Sequence, residues 1–511
     1  MKRSQESQNV RNLPIIEPDN VSDPTIDGKN VHRSKRGRIR AAVLILVHLV
    51  ILAHITHYFT TGRSVSPVEP SEAMYTLERG HVNAGAIFFA LAILSTVIFG
   101  RFFCGWGCHI VALQDLCSYV LRRLGIRLKP LRSRLLVVIP FLVAFYMFCW
   151  PTVYRIWNQG RHPGFTDHLM TDNFWKTFPG PGIAVLTFVV CGGLVVYLLG
   201  NKGFCTYACP YGAFFSIADR LAIGRIRVTD ACQHCGQCTA ACTSNVFVSA
   251  EVKSYGMVVD PGCMKCMDCV SVCPNDALYF GLTEKKGFEN PALARQEKIP
   301  PRRKSYDFSI AEELIGFVIV AIVVFAMRGL YDSVPFLLSV ALGAISGYLV
   351  IQSWRFIRKR DLRIQNLRLK ANSKTTRTGW LVIALGCIWF AFSVHSFLVQ
   401  YYRYRGRHHL QQINLEWDDL FYTDVQADLT DEQKENIEGA RSSFAITDGI
   451  GFVDVVEVKL GLASTNILQG NLEAGESYLR DAYRRNPPST SAILRDFLAT
   501  QNRMEEAIEI K

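Results

Sequence analysis

A chain of 511 residues that is 49% hydrophobic, with a mean hydropathy of +0.15, is too apolar for an ordinary soluble protein. Its net charge of +12 would suit a nucleic-acid binder, but the cations sit in clusters beside long apolar runs. That distribution excludes nucleic acid as the partner and points to a membrane.

The first 40 residues are polar and basic, ending in His32, Arg33, Lys35, Arg36, Arg38 and Arg40, with no evident cleavable signal peptide. A bilayer core needs about 20 mostly apolar residues per helix. Seven stretches meet this expectation, at 41–58, 83–100, 135–152, 182–200, 310–327, 335–353 and 380–399. Alternate flanks are basic: Arg33 to Arg40, then Arg101 to Arg134, then Arg355 to Arg377. The loops between them carry few cations, such as Arg63, Arg79, Arg155 and Arg328. The positive-inside rule then puts the N-terminus and an insert at 203–306 in the cytoplasm of a multi-pass inner (plasma) membrane protein. The tail from 401 falls on the periplasmic side, although Arg403, Arg405 and Arg407 strain that rule.

The spans carry a repeat. Phe103-Cys104-Gly105-Trp106-Gly107-Cys108 follows the second and Phe204-Cys205-Thr206-Tyr207-Ala208-Cys209 follows the fourth, offset by 101 residues. Both pairs are expected at the cytoplasmic boundary. Residues i and i+4 share a helix face, so each pair can aim two thiolates at one point. Cys104, Cys108, Cys205 and Cys209 therefore make a candidate third redox or metal site, a further iron–sulfur centre or a soft metal. The alternative is a structural thiol motif that caps each helix. Cys108-His109 does not form a c-type haem motif, because the spacing is x3 rather than x2. Cys117, Cys149, Cys191 and Cys387 read as small buried hydrophobes. In the first span His54 and His57 lie near the outer end, where the interface can solvate them, and His48 reads as satisfied by a neighbouring helix, with quinone contact or haem ligation as the alternatives. Glu312 and Glu313 read as helix N-terminal carboxylates.

The insert holds the strongest signal. Cys232-x2-Cys235-x2-Cys238-x3-Cys242 and Cys263-x2-Cys266-x2-Cys269-x3-Cys273-Pro274 have bacterial two-cluster ferredoxin spacing. In that arrangement the fourth cysteine of each run serves the other cluster. Cys232, Cys235, Cys238 and Cys273 are thus one [4Fe–4S] ligand set; Cys263, Cys266, Cys269 and Cys242 are the second. Zinc would call for C-x2-C pairs across a longer gap. Thr243 stands where proline often follows the first run. Ligating thiolates also make a disulfide framework unlikely for the 16 cysteines.

Over about residues 85–285 these elements resemble the membrane polyferredoxins of the NapH/NosR/CcoG group. The resemblance rests on Phe103 to Trp106, Cys209-Pro210, Gly212-Ala213 and both ferredoxin runs. It implies electron passage between the quinone pool or a cytoplasmic donor and a partner redox protein. One branch implies metal reduction during oxidase assembly. His109 replaces the proline often found there, and the three later spans and the tail depart from the short form.

The expected architecture is an α-helical membrane protein of seven spans with an inserted α+β ferredoxin domain and a helical tail. Its domains are 1–40, a four-helix unit at 41–202, the ferredoxin domain at 203–306, three spans at 307–400 and the tail at 401–511. From about 458 the tail is TPR-like: Leu462, Ala463, Gly470, Gly475, Leu479, Ala482 and Pro487 fit one 34-residue helical unit. The leading function is membrane-bound electron transfer through two [4Fe–4S] clusters. The rivals are a maturation factor that reduces a metal or thiol on a client metalloenzyme, and a redox sensor signalling through the tail.

Overall fold

A computed structural model describes residues 36–126, 128–129, 131–161, 164–171, 180–233, 235–282, 306–413 and 429–510. Most of the basic N-terminal segment (1–35), residues 283–305 of the expected insert and residues 414–428 of the tail lie outside the described residues. The chain divides into two compact units, Met1–Phe317 with Leu362–Arg368, and Val318–Asp361 with Leu369–Lys511.

A helix occupies each of the seven expected positions. Six are long and apolar enough to cross a membrane: Arg36–Thr61, Leu136–Asn158, Pro181–Leu199, Ile310–Met327, Phe336–Arg358 and Arg377–Ile413. The remaining one, Ala84–Phe99, has 16 residues and falls just short of the usual span. Two helices in the first unit widen into π turns, at Phe145–Cys149 and Phe188–Leu194. The first lies just before Pro151, which lacks the N–H a regular turn needs and whose ring crowds the carbonyl four residues back. In the second, the bare Cα of Gly192 lets the Leu113 side chain approach; a Cβ would lie 2.7 Å from it.

Between the spans of the first unit sits the ferredoxin-like insert. Strands Gly224–Val228 and Leu278–Leu282 pair antiparallel, with Ile226 opposite Phe280. Short helices Gln237–Ala240, Val248–Tyr255 and Asp268–Ser271 lie between them. Ile226, Val246, Val248, Val252, Val258 and Leu278 form its core, with Cys263 and Cys269 in the same cluster. The apolar core is small, so much of the interior is cysteine.

In the second unit, Arg377–Ile413 runs unbroken for 37 residues. The domain boundary expected at 400 falls inside this helix, because nothing between Val399 and Arg405 breaks a helix. Arg403 is within 2.7 Å of Asp332 and 2.6 Å of Glu457, and Arg407 also pairs with Glu457. Two of the three arginines that strained the charge rule are therefore neutralised by fold contacts. The stretch 400–450, weakly patterned in sequence, holds the helix Asp431–Ile450, started by a Thr430/Gln433 capping box. Helices Val456–Leu468 and Leu472–Arg485 form the hairpin expected from 458. Gly470 turns it at φ +81°, and Gly475 admits Ile467, whose Cγ1 would sit 2.5 Å from a Cβ. Leu462, Ala463, Leu479 and Ala482 are buried in it. Helix Pro487–Thr500 follows.

Candidate functional site

The eight insert cysteines fall into the two expected sets. Cys238 has Cys235, Cys232 and Cys273 as charge neighbours, and burial followed by those three pushes its thiol up to about 12. The same four line one cavity with Gly236, Gln237 and Pro274. Cys269 has Cys266, Cys263 and Cys242 around it, with Cys238 of the other set next. The sets differ in exposure. Cys263, Cys266 and Cys269 are 7–9% exposed, whereas Cys232, Cys235, Cys238 and Cys273 are only partly buried. The chain reaches its tight turns through left-handed residues at Gly236, Lys265 and Met267.

The repeated cysteines also converge. Cys209 has Cys205, Cys108 and Cys104 as charge neighbours, and Cys108 has Cys205 and Cys104. Burial first, then these thiols, pushes Cys108 up to about 12. They do not share a helix face as the x3 spacing suggested. Cys104 lies in the short helix Phe102–Trp106, and Cys108 is the extended N-cap of His109–Arg123. Cys205 lies likewise in Gly203–Tyr207, and Cys209 N-caps Pro210–Arg220. Backbone N–H groups of the helices that follow, Ile110 and Val111 for Cys108 and Gly212 for Cys209, face these thiols.

The turns that carry the cysteines fold back along their spans. Gly100 and Gly200 reverse the chain at φ +69° and +100°. Phe103 then meets Phe88 at 5.2 Å between ring centroids. Phe88 is 11 residues before Phe99, about 16 Å along the helix at 1.5 Å per residue. The cysteines thus sit on a re-entrant loop rather than at the end of the span.

A donor set of this kind fits iron–sulfur clusters. None of the 16 cysteines is in a disulfide. Buried thiols crowded together cannot ionise unless a cation compensates them, and a coordinated metal deprotonates a thiol outright. Among the described residues no three His, Cys, Asp or Glu side chains meet at a single ion.

The third site and the buried ferredoxin set abut. A Cβ on Gly105 would overlap the Met264 carbonyl and lie 3.5 Å from Cys266 Cα. Trp106 donates from Nε1 to the Lys265 carbonyl at 3.0 Å and packs on the ferredoxin core.

Sequence reasoning missed the buried charges around these thiols. Arg40 lies 3.0 Å from both Asp115 and Asp268 and faces Cys266. Lys202 pairs with Asp115 and faces Cys205. Asp219 accepts from Arg101 N at 3.0 Å and pairs with Lys265 at 2.8 Å and Arg225 at 3.3 Å. Arg101 faces Cys104, and Lys265 faces Cys263. Gln114 donates from Nε2 to Cys205 Sγ at 2.9 Å. By sequence Arg40 ends the basic flank that precedes the first span. Only its position beside an apolar span hinted at burial.

The remaining candidates are satisfied. His48 Nδ1 meets the Leu44 carbonyl at 2.7 Å, His54 meets the Val65 carbonyl, and His57 meets Ser64 Oγ. Glu313 is more than a helix-end charge: it is buried and accepts from Arg134 N at 2.7 Å.

Comparison with known proteins agrees with this site. A 4Fe-4S dicluster domain family matches residues 231–278, and a 4Fe-4S binding domain family matches residues 84–127 and 181–228. The methylamine utilization ferredoxin-type protein MauN of Methylorubrum extorquens is 26% identical over 199 residues, covering 37% of this chain and 64% of MauN. The ferredoxin-type protein NapH of Escherichia coli is 25% identical over 225 residues, covering 42% of this chain and 74% of NapH. NapH of Haemophilus influenzae is 25% identical over 204 residues, covering 37% and 66%. No solved structure matches. With two 4Fe-4S family matches, these relatives and the apolar helices together, the chain is similar to the NapH-type membrane ferredoxins, which supports an iron–sulfur protein of electron transport.

Proposed function

We propose that the chain moves single electrons between the membrane and a redox partner protein through two [4Fe–4S] clusters and a third centre. Cys104, Cys108, Cys205 and Cys209 hold the third centre. Cys263, Cys266, Cys269 and Cys242 hold the middle cluster, and Cys232, Cys235, Cys238 and Cys273 the outer one. The observation that carries this reading is the abutment of Gly105 and Trp106 on Met264–Cys266, which packs the loop of Cys104 directly against the loop of Cys266. When bound, each cluster supplies reversible one-electron transfer.

The protein's part is distance, dielectric and orientation. Gly105 permits the close approach, and Trp106 fixes it with a hydrogen bond. The ferredoxin core keeps water from Cys263 and Cys269. The outer cysteines remain partly exposed, which supports docking of the soluble partner there. A quinone is the proposed membrane-side partner. The ferredoxin face is cytoplasmic and the tail periplasmic, a reading supported by the charge bias of the flanks. The tail's hairpins, TPR-like from 458, offer a helical surface.

Anaerobic purification in detergent, iron counting and EPR redox titration test this. Cys235→Ser and Cys266→Ser should each remove a different signal. Zinc without iron in the purified protein would overturn the reading. A reporter active only in the cytoplasm, fused after Lys511, should be silent, and strong activity would reverse the proposed orientation.

A further inference from the structure

Five cations are buried around the inner thiols: Arg40, Arg101, Lys202, Arg225 and Lys265, each at most 7% exposed. Three carboxylates answer them, Asp115, Asp219 and Asp268. With Glu251, another charge neighbour of Cys263, counted as a fourth carboxylate, one positive charge is left over. Burying uncompensated charge costs several kcal/mol per ion, roughly, so this interior is built to receive anions. A four-thiolate cubane is an anion in both of its usual oxidation states.

The layout is crossed. Arg101 and Lys202 occupy the same position in the two repeats, at the offset of 101 residues. Each faces a cysteine of its own repeat, Cys104 or Cys205. Each is met by an aspartate from the other repeat: Asp115 pairs with the Lys202 ammonium, while Asp219 accepts from the Arg101 backbone N–H and lies among the charge neighbours of its guanidinium. Each aspartate also grips a second cation that faces the buried ferredoxin set. Asp219 holds Lys265 against Cys263, and Asp115 holds Arg40 against Cys266.

We infer that Asp115 and Asp219 are shared clamps, and that the cations they hold are positioning residues that set the redox potentials of the third centre and the buried ferredoxin centre together. This rests on the reading that these cysteines hold clusters. Adding an electron adds a negative charge, so a fixed buried cation favours the reduced form, and the low dielectric magnifies the effect. Local charge and hydrogen bonds to the sulfurs are established levers on such potentials. In the outer set, Cys238 has the other three outer cysteines as its charge neighbours, so that centre serves as an internal control.

EPR redox titration of full-length protein, with iron counting, tests the inference. Arg40→Gln should lower the midpoint of the buried ferredoxin centre, and Lys202→Gln that of the third centre. Both should leave the outer centre unmoved. Asp115→Asn should do the opposite, raising both inner midpoints, because it removes a negative charge and leaves both cations. Arg40→Lys should stay near the parent. Unchanged inner midpoints in variants of full iron content would overturn the inference, and so would one common shift in all three centres. If Arg40→Gln assembles no clusters, the upward shift in Asp115→Asn decides alone, and its absence overturns the proposal. A parent protein without iron would instead sink the functional reading.

Discussion

The two cysteine repeats carry the same motif but face different neighbours. At Phe103/Phe204, Cys104/Cys205, Cys108/Cys209 and the cations Arg101/Lys202 the two halves agree in residue type and in the helix–N-cap placement of their cysteines. At Gly105/Thr206 and Trp106/Tyr207 they part. The first repeat turns these positions to the ferredoxin, as Trp106 bonds the Lys265 carbonyl. The second turns them inward, with Tyr207 buried and its hydroxyl donating to the Leu131 carbonyl at 2.6 Å. The repeats share the cysteines proposed to hold a third centre and differ at the contact with the ferredoxin.

The largest effect should come from the shared part. Cys104→Ser and Cys205→Ser should each abolish reduction of the ferredoxin clusters from the membrane side. The double variant should be no worse than either single, because residues acting as one unit are non-additive. Full electron transfer in the double variant, with both ferredoxin signals intact, would leave the repeats a purely structural role.

Next comes the point of divergence. A Cβ at Gly105 would run into the Met264 backbone, which cannot swing aside as a side chain would. Gly105→Ala should therefore cost about 1–3 kcal/mol as overpacking and slow reduction of the buried ferredoxin centre. Thr206→Ala should cost no more than about 1 kcal/mol, the worth of one local hydrogen bond to the Lys202 carbonyl. Thermal melting in detergent with stopped-flow reduction would compare them. Equal effects at the two sites would erase the asymmetry drawn here.

How much of this could be read in the chain depended on sequence separation. Span positions and ligand sets were legible because hydropathy and the x2-x2-x3 spacing are local signals. The re-entrant turns were not. Cys104 and Cys108 have helical spacing, and only Gly107 and the extended Cys108 break it. The charge clamps were beyond reach for another reason. Arg40 and Asp268 are 228 residues apart, and an arginine next to an apolar run looks the same whether solvated or buried. The tail's first helix was missed although its Thr430-x-x-Gln433 box was present, because its apolar face is thin.

Smaller effects sharpen the comparison at the aromatic pair. Tyr207→Phe removes one donor, but the Leu131 carbonyl keeps Asn245 Nδ2 at 2.9 Å. The loss should be about 0.5–1.5 kcal/mol, with no change in electron transfer. Trp106→Phe should cost a similar amount of stability, yet slow transfer into the ferredoxin. If the two variants transfer electrons equally well, Trp106 has no part in the junction.

The smallest effect is expected where the repeats differ most in chemistry, at His109 and Pro210. Both are the first residue of a helix whose N-cap is a cysteine. An N–H at that position has no partner within the helix, and the fixed φ of proline suits it. Proline also requires an extended residue before it. Cys108, at φ −86° and ψ 124°, already is one, close to Cys209 at φ −77° and ψ 113°. His109→Pro should thus leave melting temperature and the spectrum of the third centre within error of the parent. A marked loss of either would mean that the imidazole, rather than the backbone, is what the first repeat uses at this position.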